Sequence, residues 1–239
     1  MGADVKQLNA AAKEFDQVQN LLERLSSAVV HQLTVLKTAA TNHDATELKA
    51  IVDRDRDIDA LELTLDRTAR SFMELRAPLG PDFRAMMAAI DIARNLERIG
   101  DCVEYVARHV AASLNMHTEF PAGWQVVTAM IDKCLLFLDQ AHTAWAKGDA
   151  RLAERLPRED EEVDALQKQT RTLCIDSVRS GKVDIAMGLE AVLIANKLES
   201  IADISSHIAE SVVFVLQARQ IRHEKRKESA KHGGQEGPE

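Results

Sequence analysis

Four pairs of carboxylates are the residues of this chain whose types and spacing could do chemistry. Glu97 and Asp101 stand four residues apart within Leu96-Glu97-Arg98-Ile99-Gly100-Asp101. Glu199 and Asp203 repeat them within Leu198-Glu199-Ser200-Ile201-Ala202-Asp203. Asp55 with Asp59, and Asp160 with Asp164, have the same spacing. On a helix such residues share a face about 5–6 Å apart, where like charges repel by a few tenths of a kcal/mol. Any single pair is ordinary on a solvated helix. Four pairs at duplicated positions suggest a use: if pairs from two helices converge, four negative charges share one place and need a counter-charge. Hard cations held by oxygen (Mg²⁺, Mn²⁺, Ca²⁺ or iron) suit that donor set, and a cluster of ions suits it better than one divalent ion, which leaves charge over.

Such pairs need helices to position them, and the composition supplies helices. Aromatic residues make up only 4% of the 239, Gly and Pro number 10 and 5, and Ala, Leu, Glu and Arg are abundant. Good helix formers with few breakers predict an all-α protein. Apolar residues recur at helical spacing from about residue 5 to 41 (Phe15, Val18, Leu22, Leu25, Val29, Leu33, Leu36). Asp44 and Glu47 resemble a capping box opening a second helix that runs to about Ala77. Pro78-Leu79-Gly80-Pro81 separates it from a third, about Asp82 to Asn115. The stretch from His117 to Gly123 is the best boundary between halves. A fourth helix then runs from about Trp124 to Ala146, and Gly148-Asp149 stops it and caps the next. The fifth, started late or interrupted by Pro157, reaches about Ser180, and a sixth runs from about Asp184 past Leu216.

The second three helices repeat the first. Asp59 aligns with Asp164 at an offset of 105, and Glu97 with Glu199 at 102. This period fits a tandem duplication of an antiparallel three-helix bundle, giving bundles over 1–117 and 118–228 and a disordered tail over 229–239. The third helix's apolar stripe (Ile92, Leu96, Ile99, Val103, Val106) lies well round from Glu97 and Asp101, which puts the acids on a surface or groove rim. Ala93, Gly100 and Ala107, with Ala195 and Ala202 in the other half, sit between stripe and acids and would admit a neighbouring helix closely. His207 extends the Glu199–Asp203 ladder, but its counterpart is Tyr105, so the repeat does not ask for a histidine ligand.

Several function classes are disfavoured. A net charge of −8 argues against nucleic-acid binding. No apolar run approaches a membrane span, and the first fifteen residues carry no secretory h-region. The three cysteines, Cys102, Cys134 and Cys174, read as small buried thiols of a cytosolic protein. A di-metal carboxylate oxidase would need Glu-x-x-His on two helices, and neither that nor a phosphate-cradling or nucleophile-elbow motif occurs. A metal-free helical adaptor docking basic partners on its acidic faces is the stronger alternative to a metal site.

The chain resembles the PhoU family of phosphate-signalling regulators. The resemblance rests on Pro78-Leu79-Gly80-Pro81-Asp82-Phe83-Arg84, close to a P-x-A-x-D-L-R pattern, and on Leu96-Glu97-Arg98-Ile99-Gly100-Asp101, matching LERIGD. The other acidic pairs and the duplicated layout extend it over nearly the whole chain. It implies paired three-helix bundles with surface metal clusters of iron, zinc, manganese or magnesium. The implied ligands are Asp55, Asp59, Glu97 and Asp101 in the first half and Asp160, Asp164, Glu199 and Asp203 in the second. It further implies a non-enzymatic cytoplasmic negative regulator of phosphate uptake and phosphate-starvation signalling. Its implied partners are a phosphate ABC transporter and a sensor histidine kinase, with membrane contact only through them and room for a homodimer. The second half departs from the pattern: Ser200 and Ala202 replace Arg and Gly, and P-x-A-x-D-L-R is missing.

Overall fold

The computed structural model describes residues 2–114, 116, 120–159 and 161–219, with side chains described except at 2–9, 158 and 159. The segments assigned among them are helices: α1 (Gly2–Asn42), α2 (Ala45–Arg76), α3 (Gly80–Ser113), α4 (Pro121–Lys147), α5 (Ala150–Glu159), α6 (Glu161–Arg179) and α7 (Ile185–Gln217). Asp160 and the expected tail over 229–239 lie outside the described residues.

The expected punctuation acts through identifiable atoms. Asp44 accepts from the amides of Thr46 and Glu47 at 3.0 and 3.1 Å and so starts α2. The α2–α3 turn passes through Ala77 at φ 44° and Gly80 at φ 59°, both left-handed. Gly148 at φ 64° closes α4, and Asp149 accepts from the amide of Leu152 at 3.0 Å. The expected fifth helix corresponds to α5 and α6. It begins at once after this cap, at Ala150, so Pro157 falls inside α5 and does not delay it. Asp184 caps α7 through the Met187 amide at 2.8 Å.

Helices α1, α2 and α3 pack on one another, as do α4 to α7, and the most extensive pairing in the molecule is α3 with α7. That pairing is antiparallel: Asp91 accepts from the Ser211 hydroxyl at 2.7 Å, Lys197 sits 5.0 Å from the Tyr105 ring centre, and His109 meets Glu190 at 2.5 Å. Residue numbers rise on one helix as they fall on the other, so the α3–α7 seam runs along the join between the halves. The apolar stripes fill one continuous core there, with Leu22, Leu96, Ile131, Leu198 and Ile201 fully or nearly fully buried. Burying each such side chain stabilises the fold by about 1.5–3 kcal/mol.

Candidate metal centre

Gly100 sets how closely α2 approaches α3. A Cβ placed there would lie 3.1 Å from Asp55 Oδ1 and 3.2 and 3.3 Å from the Ile58 Cγ2 and Cδ1 atoms. Ile58 is buried, so a side chain on Gly100 could be admitted only by moving the carboxylate or the helix. Glycine inside a helix costs about 1 kcal/mol relative to alanine. The chain accepts that cost where it brings the acidic faces of α2 and α3 together.

The result is a three-carboxylate cluster. Asp55, Asp59 and Asp101 each offer a carboxylate oxygen, and these three atoms all lie within 4.8 Å of one another. Asp59 and Asp101 are exposed and Asp55 is half-buried, which puts the group on a groove rim. Glu97, one turn before Asp101, is half-buried and stands outside this group of three. It shares the same field. Burial, followed by repulsion from Asp101, Asp59, Glu62 and Asp55, pushes its carboxyl up to about 7.

Asp55 is pushed up to about 6 by burial and by Asp59, Asp101 and Glu104, against a lowering hydrogen bond from Gln32. Asp101 is raised by desolvation, then Asp59 and Glu104, with Lys197 from α7 opposing. Glu62, on the same face of α2, is raised by burial and Asp66. Two unit charges 4.8 Å apart repel by about 1 kcal/mol in water and about 3 kcal/mol at an effective dielectric near 20. Lys197 alone does not offset such a field.

The donor set fits a hard cation. Bonds of about 2.0–2.6 Å from a shared ion span oxygens up to about 5 Å apart, and the observed separations fall within that reach. Zinc suits the group least, because neither imidazole nor thiolate belongs to it.

Gln32 was not singled out by the spacing argument. It occupies the apolar stripe of α1 between Val29 and Leu36, and its Nε2 lies 3.4 Å from both the Ile51 carbonyl and Asp55 Oδ1. The signal was there: an amide among buried aliphatic positions. Glu62, Glu104 and Lys197 were also missed; the first two continue the acidic ladders, while Lys197 arrives from the opposite half.

The second half is arranged differently. Asp164 is half-buried on α6, Glu199 is half-buried on α7 and Asp203 is exposed beside it. Asp160 lies outside the described residues, and no second group of three ligating side chains forms among those described. Where the first half has Glu62 and Arg94, the second has Gln167 and Asn196, joined by a 3.1 Å hydrogen bond. Ala202, buried, replaces Gly100. These changes leave the net charge as it was, replacing one acid and one base with two neutral amides, and they put a methyl group where the first half has none.

Comparison with known proteins agrees with the geometry. The family model described as "PhoU domain" matches residues 22–110 and 127–212. A phosphate-specific transport system accessory protein PhoU homolog from Zymomonas mobilis is 32% identical over 180 residues, covering 75% of each chain. The phosphate-specific transport system accessory protein PhoU of Escherichia coli is 24% identical over 218 residues, 88% of this chain and 86% of that one. Among solved structures, PhoU from Pseudomonas aeruginosa superposes with a TM-score of 0.83 at 23% identity, covering 87% of this chain and 99% of that chain. Two matched segments, one in each half, and the acidic α2–α3 face lead to one conclusion: this chain belongs to the PhoU family.

Proposed function

We propose that the protein is an accessory regulator of phosphate uptake that restrains the transporter and the phosphate-starvation response through protein contacts, with cations held on its α2–α3 face. The observation carrying the metal part is the convergence of Asp55, Asp59 and Asp101 at the Gly100 approach. Glu97 stands next to them as a further ligand. In the second half the corresponding set is Asp160, Asp164, Glu199 and Asp203. A bound Mn²⁺, Mg²⁺ or iron ion would supply the positive charge that lets four carboxylates ionise together on an exposed face. Family membership and the printed names of the relatives, accessory proteins of a phosphate-specific transport system, support the accessory role. The partners of this reading are a phosphate ABC transporter and a sensor histidine kinase.

The same names, describing accessory proteins, support a non-enzymatic role. No helix among the described residues is long and apolar enough to cross a membrane, which agrees with a cytoplasmic protein reaching the membrane through partners. The halves over 1–117 and 118–228 act as two related bundles joined along α3 and α7. Deleting the gene is expected to switch on phosphate-starvation genes in phosphate-rich medium. Wild type should restore repression and the Asp55→Asn, Asp101→Asn variant should restore it poorly. Unchanged expression and uptake in the deletion strain would overturn the regulatory reading.

One observation favours a metal-free alternative. With Glu97 pushed up to about 7 and Asp55 to about 6, protons can relieve part of the repulsion. An adaptor presenting this face to a basic partner would then bind more tightly as pH rises, without added metal.

A further inference from the structure

Gln32 is the buried polar residue that touches the carboxylate cluster from behind. It is 5% exposed, on a face of α1 otherwise given to Val29, Leu33 and Leu36. Its Nε2 faces two acceptors at once, the Ile51 carbonyl and Asp55 Oδ1, each at 3.4 Å. Two acceptors fix the amide with its nitrogen toward Asp55. Its Oε1 is left buried without a hydrogen-bond partner. An apolar residue would fill this position with no orphaned oxygen, so folding alone does not explain an amide here.

The duplication provides a comparison inside the same chain. The α1–α2 and α4–α5 corners share a backbone hydrogen bond at an offset of 105: Asp44 N donates to the Ala39 carbonyl and Asp149 N to the Ala144 carbonyl, both at 2.9 Å. That offset takes Gln32 to Phe137, which is 4% exposed. The equivalent helix of the second half therefore fills the position with a hydrocarbon. The amide belongs to the half in which three carboxylates converge.

We infer that Gln32 is a positioning residue for the cation site, holding the Asp55 carboxylate by a hydrogen bond from the inner side, where one of the carboxylate's oxygens lies within 4.8 Å of those of Asp59 and Asp101. The inference rests on the reading of the α2–α3 face as a cation site. Donors behind ligating carboxylates fix their orientation, and losing one such donor weakens metal affinity by about 10- to 100-fold. The second-half site, with Phe137 in place of the donor, binds more weakly on this account.

The test is Mn²⁺ titration of the full chain by calorimetry, with free Mn²⁺ followed by electron paramagnetic resonance. The variants are Gln32→Met and, should that one fold poorly, Gln32→Leu. The expected result is a Kd about 10- to 100-fold weaker, with the metal-free variant melting at or above wild type because the orphaned oxygen is gone. In an Asp55→Asn background the Gln32 substitution should have no further effect on affinity. Unchanged Mn²⁺ affinity together with a lowered melting temperature would make Gln32 a packing residue and overturn the inference while leaving the cation site standing. A wild type that binds neither Mn²⁺ nor, in the same titration, Mg²⁺, Fe²⁺ or Zn²⁺ would remove the site and the inference with it.

Discussion

Replacing Glu97 with Gln should stabilise the metal-free protein, and only at neutral to alkaline pH. Glu97 is pushed from an ordinary 4.5 to about 7, by burial first and the neighbouring carboxylates second. Between those values the folded protein holds a proton that the unfolded chain has already lost. Stability therefore falls as pH rises through this window, and the loss is complete above about pH 7. The gap corresponds to about 3 kcal/mol at 1.36 kcal/mol per pH unit. Solvent screening at this half-exposed side chain reduces it to about 1 kcal/mol. Glu97→Gln removes the ionisation, so in chelator at pH 8 it should melt about 2–4 °C above wild type. At pH 5 the two should nearly coincide. Thermal unfolding by circular dichroism across pH 5–8 measures this. Parallel pH profiles, or a variant less stable at pH 8, would show that Glu97 does not carry the repulsion assigned to it.

Three further outcomes follow from the same geometry. Mn²⁺ affinity should rise steeply between pH 5.5 and 7.5, since binding must displace protons from Asp55 and Glu97, held at about 6 and about 7; a calorimetric enthalpy that is independent of buffer ionisation heat would contradict proton release. Gly100→Val should cost about 1–3 kcal/mol of stability and push Asp55 off the cluster, seen as a lower denaturation midpoint and weaker Mn²⁺ binding. Cys102, Cys134 and Cys174 are buried, and burial raises all three thiols. They should stay unreactive toward a thiol reagent until the protein unfolds, and rapid native labelling would show the core to be looser than described.

The helices and their order were legible because long amphipathic stripes and sharp stops leave little freedom. Asp44, Gly148-Asp149 and Asp184 marked their boundaries within a few residues. Pro157 does not delay the start: it lies inside α5, so the cap at Asp149 sets where that helix begins. The expected fifth helix is divided two residues after it, α5 ending at Glu159 and α6 opening at Glu161. For the site, i,i+4 spacing found Asp55, Asp59 and Asp101 because it decides which residues share a helix face. It could not decide which atoms meet across two helices. That depends on the Gly100 approach and on side-chain direction, which bring three of the four first-half acids into one group and leave Glu97 beside it. Nor could periodicity reveal that Lys197, nearly a hundred residues away in the chain, acts on Asp101. That relation exists only through the antiparallel α3–α7 pairing.

The central claim is that the α2–α3 carboxylates hold metal. Protein loaded with Mn²⁺, desalted and analysed by plasma mass spectrometry tests it most directly, comparing wild type with the Asp55→Asn, Asp59→Asn, Asp101→Asn variant. The account predicts stoichiometric metal on wild type and its loss from the variant, whose metal-free form melts no lower than wild type because three repelling charges are gone. Equal metal on both proteins, or none on wild type after loading with Mn²⁺, Mg²⁺, Fe²⁺ or Zn²⁺ in turn, would contradict it.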